Sequence, residues 1–429
     1  MPSSPGASPL AQRDFRLLFG GSGISAIGDQ FTLVALPWLV LKLTGSPAAL
    51  GLVLATMALP RAAFMLIGGA VVDRLSPRRV LLAARAVNAL LVSLLAALVL
   101  GGAIHMGLVY ALALGIGLAT AFAYPAGSAM LPQLVAPAQL RAANALFMAM
   151  RQLSMLVGPA LAGLLISVGA HGRHGNVADA TGLGLAFAVD ALSFVCSLVS
   201  LVLIRIHGDH HPRTPEGGVL ANVVAGIRAA WADLPLRAFV LYAAVVSVFV
   251  GGPIQVGLPM LADTRLDLGA ASLGILMTAN GGGMLVGSML SGLAAKLVRN
   301  RLGLMVLGID SLAGLALAAL AFDHSTLAGA ALLATTGVLG GIVQVTIVSW
   351  IQHRVALEMM GRTMSLLMFT FMGLGPLSAA IAGSLLKVVS LPALFAGAGL
   401  MLTAIALTCM ASPALRSIGM SSRAPAAAG

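Results

Sequence analysis

Twelve long apolar runs, each closed off by charged residues, glycine, proline or a polar turn, follow one another along the 429 residues of the chain. They cover 17–41, 48–72, 80–100, 106–131, 144–168, 182–203, 238–261, 270–295, 302–322, 327–350, 363–388 and 392–411. A helix crossing the hydrocarbon core of a bilayer takes about 20 residues, so every run is long enough to span. Backbone groups in lipid must be satisfied within the segment, which favours helices for apolar runs of this length. The expected fold class is all-α integral membrane, with twelve transmembrane helices. Composition agrees, since 59% of the residues are hydrophobic and 9% are charged, whereas a soluble domain carries about 25% charged residues. A soluble enzyme of ordinary surface is thereby excluded. The two cysteines, Cys196 and Cys409, lie inside apolar runs and cannot staple a disulfide scaffold.

The charged residues orient these runs. With both termini cytoplasmic, seventeen of the 24 basic residues fall on the inner side, four on the outer side (Lys42, Arg173, Arg265 and Lys387) and three within spans. Such an asymmetry follows the positive-inside rule. The net charge of +11 is therefore a topology signal, and no nucleic-acid partner is expected. The segment before Arg13 lacks a basic cluster ahead of a short apolar core, so a cleaved signal peptide is not expected. The layout predicts a cytoplasmic tail (1–14), a six-helix half (15–204), a central cytoplasmic loop (205–236), a second six-helix half (237–411) and a tail (412–429), in a multi-pass protein of the cell inner (plasma) membrane. Ser46 and Pro47 read as the cap and first residue of the second helix.

The two halves carry a duplication. Leu50-Gly51, Gly69 and Arg78 in the first half have counterparts Leu273-Gly274, Gly292 and Arg301 in the second, all displaced by 223 residues. A gap-free offset argues for two parallel repeats, and hence two pseudo-symmetric six-helix bundles.

Between the second and third runs stands Gly69-Ala-Val-Val-Asp73-Arg74-Leu-Ser-Pro-Arg78-Arg79, and the fifth run holds Ser154 followed by Gly158-Pro159-Ala-Leu-Ala162-Gly163. The first stretch resembles the loop signature G-x-x-x-D-R-x-x-x-R-R of the major facilitator superfamily, and the second resembles the span-five motif of its proton-coupled exporters. Ala143-Asn144-Ala145-Leu146, Gln352-His-Arg354 and Gly361-Arg362-Thr-Met-Ser365 are similar to the twelve-helix branch that holds macrolide and enterobactin exporters. The chain departs from the family pattern at Ser76, Ser154 and Ala162, where the motifs have glycine.

The resemblance implies a cytoplasmic latch at Gly69, Asp73, Arg74 and Arg78, with Arg79 serving topology, and an asymmetric counterpart because Lys296 stands where Asp73 does. Gly158 and Pro159 interrupt the helical ladder, and Ser154, Ala162 and Gly163 are small enough for another helix to approach closely. Gly283-x-x-x-Gly287 and Gly337-x-x-x-Gly341 offer similar packing surfaces.

Ionisable groups within spans are costly and mark function more often than chance. Asp29 stands about 20 Å of helix rise beyond Arg16, near mid-bilayer, and is the first candidate for the proton-carrying carboxylate. Arg61, also near mid-depth, is its candidate partner, and a plain buried ion pair is the alternative role for the two. Asp190 and Asp310 fall on spans that are peripheral in the superfamily and read as structural, while Arg85 reads as reaching back to the cytoplasmic surface. Arg151 faces either the cavity or the latch. Trp38, Tyr124, Asn144, Gln255, Asn280 and Gln344 are candidate cavity-lining groups, together with Phe369.

Other chemistry is excluded by what the chain lacks. It has no phosphate-binding loop ending in Lys-Ser/Thr. Its eight histidines lie in loops or near span ends, where no metal set is expected. No enzyme activity, cofactor or metal is expected, and the segment 218–231 reads as a linker helix or one lying on the inner membrane surface. The function expected is secondary transport of a small lipophilic substrate, exported against protons by alternating access in a monomer within the lipid bilayer. A dedicated exporter or importer of one metabolite, such as a siderophore, is the alternative; a membrane-embedded enzyme or receptor is the remote one.

Overall fold

The computed structural model describes residues 8–169, 173–174, 177–205, 231, 233–297, 301–355 and 357–419, without the side chains of 65–71, 73–74, 173–174, 177–178, 297, 357–359, 361–362, 365, 368–369 and 371–372. Helix α1 (Arg13–Thr44) is entered through a 3-10 turn at Pro9–Ala11 and ends at Gly45, whose φ of 61° is left-handed. A side chain would be strained there, and glycine lets the chain reverse into α2 (Pro47–Arg74). Ser46 accepts a 3.3 Å hydrogen bond from the Ala49 N–H, which makes it the expected cap with Pro47 in the first turn.

Four more helices complete the first set: α3 (Pro77–Leu100), α4 (Met106–Leu134), α5 (Leu140–Val168) and α6 (Ala180–Leu203). A short hairpin, Arg173–His174 against Val177–Ala178, lies between the last two.

The seventh span departs from the single run that its sequence predicts. Helix α7 (Leu234–Gly252), capped by Asp233, gives way to a π-helical turn at Pro253–Gly257 before α8 (Leu258–Thr264). Pro253 brings no N–H to the ladder. Just before it, the Ser378 hydroxyl accepts a 2.7 Å hydrogen bond from the Gly252 N–H and donates to the Val248 carbonyl, so it is wedged into a bond that would close a regular turn. Then follow α9 (Ala270–Leu297), α10 (Leu302–Ala319), α11 (Thr326–Arg354), α12 (Leu357–Leu385), α13 (Leu391–Cys409) and the short α14 (Pro413–Arg416).

Among the described residues, eleven helical segments are long and apolar enough to cross a membrane, and Gly373–Leu385 within α12 is a shorter apolar stretch. Large apolar side chains point outward along them, such as Leu90 on α3 (67% exposed) and Leu192 on α6 (63% exposed). Lipid is the solvent that such faces suit.

The chain divides into two compact units, Met1–Glu216 with Leu268–Thr278, and Gly217–Asp267 with Ala279–Gly429. In the first, α6 packs on α1 and α3, α2 on α4, and α5 on α1. Phe15 stacks on Phe19, and Phe147 meets both rings edge-on where α1 meets α5. In the second, α7 packs on α12 and α10 on both α11 and α13, around a core that includes Phe239, Val306, Trp350 and Ile351. The duplication is visible as a shared contact. A Cβ on Gly117 of α4 would overlap the Met57 carbonyl of α2, and one on Gly337 of α11 would overlap the Asn280 carbonyl of α9. Met57 and Asn280 are again 223 residues apart.

Candidate functional site

Helix α1 has a face of small and hydroxyl-bearing residues, Gly21, Ser25, Gly28 and Thr32, all buried. These recur at helical spacing and meet a matching stripe on α6. A Cβ on Gly21 would come within 2.8 Å of Ser200, and one on Gly28 within 2.7 Å of an Asp190 oxygen and closer still to Ser193. The fit lets Thr32 Oγ1 donate a 2.5 Å hydrogen bond to Asp190 Oδ2, while Ser193 Oγ donates to Oδ1 at 3.2 Å. Asp190 is only 1% exposed.

Asp29, the neighbour of Gly28, stands on the accessible side of α1, about 24 Å of helix rise from Arg13. Two cations act on it through space, Arg85 of α3 and Arg61 of α2. Among the described residues neither closes a salt bridge to it. Arg61 also feels Arg151 of α5, an exposed residue. Five charged groups within spans, Asp29, Arg61, Arg85, Arg151 and Asp190, thus lie in the first six helices. An accessible carboxylate beside guanidinium groups can exist as an ion-pairing anion or as a neutral acid, and exchanging the two forms rearranges its neighbours.

Arg85 corrects its sequence reading. It does not turn back to the cytoplasmic surface; its Nη1 donates a 2.5 Å hydrogen bond to Ser25 Oγ of α1 and its guanidinium lies 5.3 Å from the Phe194 ring. Its buried Nε meets no acceptor among the described residues.

The residues expected to line a cavity separate into groups. Tyr124, Asn144 and Gln344 are exposed. Asn280 is half-buried and spends its amide on the Leu333 carbonyl and Thr336 Oγ1 of α11, at 3.2 and 3.4 Å. Gln255 sits in the π turn, with its Nε2 beside Gly375. Trp38 belongs to the packing, at 2% exposure, with its Nε1 donating to Asp179 Oδ2 at 3.3 Å and Lys42 4.9 Å above its ring. The Phe369 side chain lies outside the described residues, as do the central-loop histidines and nearly all of the segment 218–231. Among the described residues, no three His, Cys, Asp or Glu side chains gather closely enough to hold a metal ion.

A two-unit helical chain with charge inside its spans is compatible with several transporter architectures. The family comparison decides between them: the model described as Major Facilitator Superfamily matches residues 18–380. The chain belongs to the Major Facilitator Superfamily. It is a membrane transporter of this superfamily and not an enzyme. It is 28% identical over 419 residues to the multidrug efflux pump Tap of Mycobacterium tuberculosis (strain ATCC 25618 / H37Rv), covering 96% of both chains. It is also 24% identical to macrolide efflux protein A of Streptococcus pyogenes, over 65% of this chain and 66% of that one. Its fold is similar to the crystal structures of the nucleoside transporter NupG (TM-score 0.67, 14% identity, 93% of this chain and 98% of that one) and of a POT family transporter bound to a thioalcohol-conjugated peptide (TM-score 0.69, 13% identity, 94% and 96%).

Within this superfamily member, the span-five stretch is a close-packing surface. A Cβ on Gly158 would meet Gln30 of α1 at 2.5 Å, and one on Gly163 would meet the Ala270 carbonyl at 2.6 Å and the Gly274 Cα at 3.0 Å, at the start of α9. Gly274 in turn sits against the Pro159 carbonyl, and Ser154 is buried with its hydroxyl on the Met150 carbonyl. Of the loop signature, the side chains of Asp73 and Arg74 lie outside the described residues. Arg78 is engaged within its own bundle, donating from Nη2 to the Val202 carbonyl at 2.9 Å and from Nε to the Leu201 carbonyl at 3.4 Å. These carbonyls end α6, where a cation suits the helix dipole.

Sequence reasoning missed Thr32, Ser193 and the inward course of Arg85. The signal was present as paired periodicities: 21, 25, 28 and 32 on one helix, and 190, 193, 197 and 200 on another. Small and hydroxyl residues at such spacing on two helices mark surfaces that can mate.

Proposed function

We propose that this transporter exports small lipophilic compounds and is driven by proton entry, by alternating access of two six-helix halves (15–204 and 237–411). Asp29 carries the proton. The observation that supports this reading most is its position: an accessible carboxylate at the middle of a spanning helix, under the influence of Arg61 and Arg85. A protein spends the cost of an intramembrane acid where charge must change. Protonation neutralises Asp29 and removes its pull on the two arginines, and deprotonation restores that pull, which links proton loading to a rearrangement of α1, α2 and α3.

The relatives named as multidrug and macrolide efflux proteins support drug-like, lipophilic cargo. So does an accessible set poor in charge, with Tyr124, Asn144, Arg151, Gln255, Asn280 and Gln344 as candidate contacts. Gly69, Asp73, Arg74 and Arg78 form the cytoplasmic latch, and Ser154, Gly158, Pro159 and Gly163 the bending surface of the fifth span. The protein acts as a monomer in the cell inner membrane with both termini and the loop 205–236 in the cytoplasm, as the basic residues on that side favour.

Inverted membrane vesicles carrying the protein test the reading. A fluorescent lipophilic cation is expected to accumulate when the interior is acidified and to leave when a protonophore is added. Accumulation that ignores the proton gradient contradicts proton drive.

A further inference from the structure

Resting on the proton-driven reading above, we propose that Asp190 is a second proton-bearing group of this transporter, filled from Asp29 through the hydroxyl of Thr32.

Asp29 and Thr32 are three residues apart on α1, so their side chains are neighbours on its surface. Asp29 is on the accessible side and Thr32 on the buried one. Thr32 Oγ1 already donates at 2.5 Å to Asp190 Oδ2, within the range of a hydroxyl on a carboxylate. A hydroxyl is at once donor and acceptor. A proton leaving Asp29 binds Thr32 Oγ1 as the proton already there passes to Asp190 Oδ2. Asp29 loses one proton, Asp190 gains one, and Thr32 is unchanged. Gly28 makes the approach close enough, since any side chain there would occupy the space of Asp190 and Ser193.

The surrounding charge sets both carboxyl groups near one guanidinium, that of Arg85. The charged groups acting on Asp190 are Asp29 from α1 and Arg85 from α3, while α5, the third helix on α6, carries Arg151, which acts on Arg61. Arg85 faces both acids and holds neither in a salt bridge among the described residues, and its Nε is buried without an acceptor. A purely structural Asp190 would account for the bonds to Thr32 and Ser193. It gives no reason for a cation shared with an accessible acid one helix away.

The experiment uses purified full-length protein in liposomes, with a fluorescent lipophilic cation as cargo. It compares wild type, Asp29→Asn, Asp190→Asn, Thr32→Val and Thr32→Ser. Both gradient-driven accumulation and exchange without a gradient are measured from pH 5.5 to 8.5. Asp190→Asn and Thr32→Val are expected to lose gradient-driven accumulation at least tenfold while exchange stays within twofold, and Thr32→Ser is expected to restore accumulation. If Asp190→Asn fails to fold, Thr32→Val, which keeps the carboxyl, decides alone. Wild-type accumulation with an unshifted pH profile in Thr32→Val overturns the relay. Gradient-independent wild type overturns the proton reading itself; loss in Asp29→Asn with wild-type behaviour in Asp190→Asn and Thr32→Val overturns the relay only.

Discussion

Thr32 on α1 donates a 2.5 Å hydrogen bond to the buried carboxylate of Asp190 on α6, and Gly28, one turn earlier, leaves the space that lets the two helices come that close. The contact joins α1 to a polar seam on α6, where Asp190, Ser193 and Ser197 are all buried.

Gly28 is therefore expected to be intolerant of any side chain. Gly28→Val would drive a branched side chain into Ser193 and Asp190, an overpacking that costs about 1–3 kcal/mol or more. The expected result is a marked loss of monodisperse protein and a lower Tm in detergent. Gly20→Ala, on the same helix with nothing within 4 Å of its Cβ position, is expected to match wild type. The comparison is read by fluorescence-detected size exclusion and thermal unfolding.

The second unit contains its own intramembrane acid, with a different role. Tyr242 of α7 donates a 2.7 Å hydrogen bond to Asp310 Oδ2 of α10. Tyr242→Phe leaves that oxygen without its donor, at about 1–3 kcal/mol, and is expected to lower the Tm. Proton-driven accumulation should stay within twofold of wild type, because among the described residues no second acid and no arginine acts on Asp310. A tenfold loss of accumulation at unchanged stability would refute this structural role.

Much of this architecture could be read from residue order alone, because bilayer thickness fixes helix length. Twelve runs and the 223-residue offset were sufficient for the fold, and Met57 and Asn280, separated by that offset, each face a glycine of a neighbouring helix, Gly117 and Gly337. Asp29 was legible as an unusual charge. Its neighbourhood was not: whether Arg85 turns inward or outward depends on Ser25 and Phe194, which are adjacent only after α1, α3 and α6 pack. Trp38 was ambiguous for a related reason. An aromatic in a span suits a cavity wall as well as a core, and the bond to Asp179 that settles its place spans 141 residues. The break at Pro253 needed the Ser378 hydroxyl from another helix to be recognised.

At the end of α11, Arg354 binds Asp233 in two places, Nε to Oδ2 at 2.7 Å and Nη2 to Oδ1 at 3.1 Å, and lies 5.8 Å from the Trp350 ring. Asp233 also caps α7 through the Leu236 N–H at 3.3 Å. The pair is only partly shielded from solvent, so breaking it is expected to cost about 1 kcal/mol. Arg354→Gln and Asp233→Asn should each lower the Tm by a few degrees, and the double variant should be no worse than either alone. Additive losses in that cycle would show that the two residues act separately.

Asp29 is the group proposed to convert proton entry into export. Its most direct test is concentrative uptake of a fluorescent lipophilic cation into acid-loaded proteoliposomes containing wild type or Asp29→Asn, with substrate exchange at equal pH as the control for folding and binding. Asp29→Asn is expected to exchange substrate within about twofold of wild type while losing concentrative uptake by at least about tenfold, since a neutral side chain retains the shape but binds no proton. Undiminished concentrative uptake by Asp29→Asn would contradict that role.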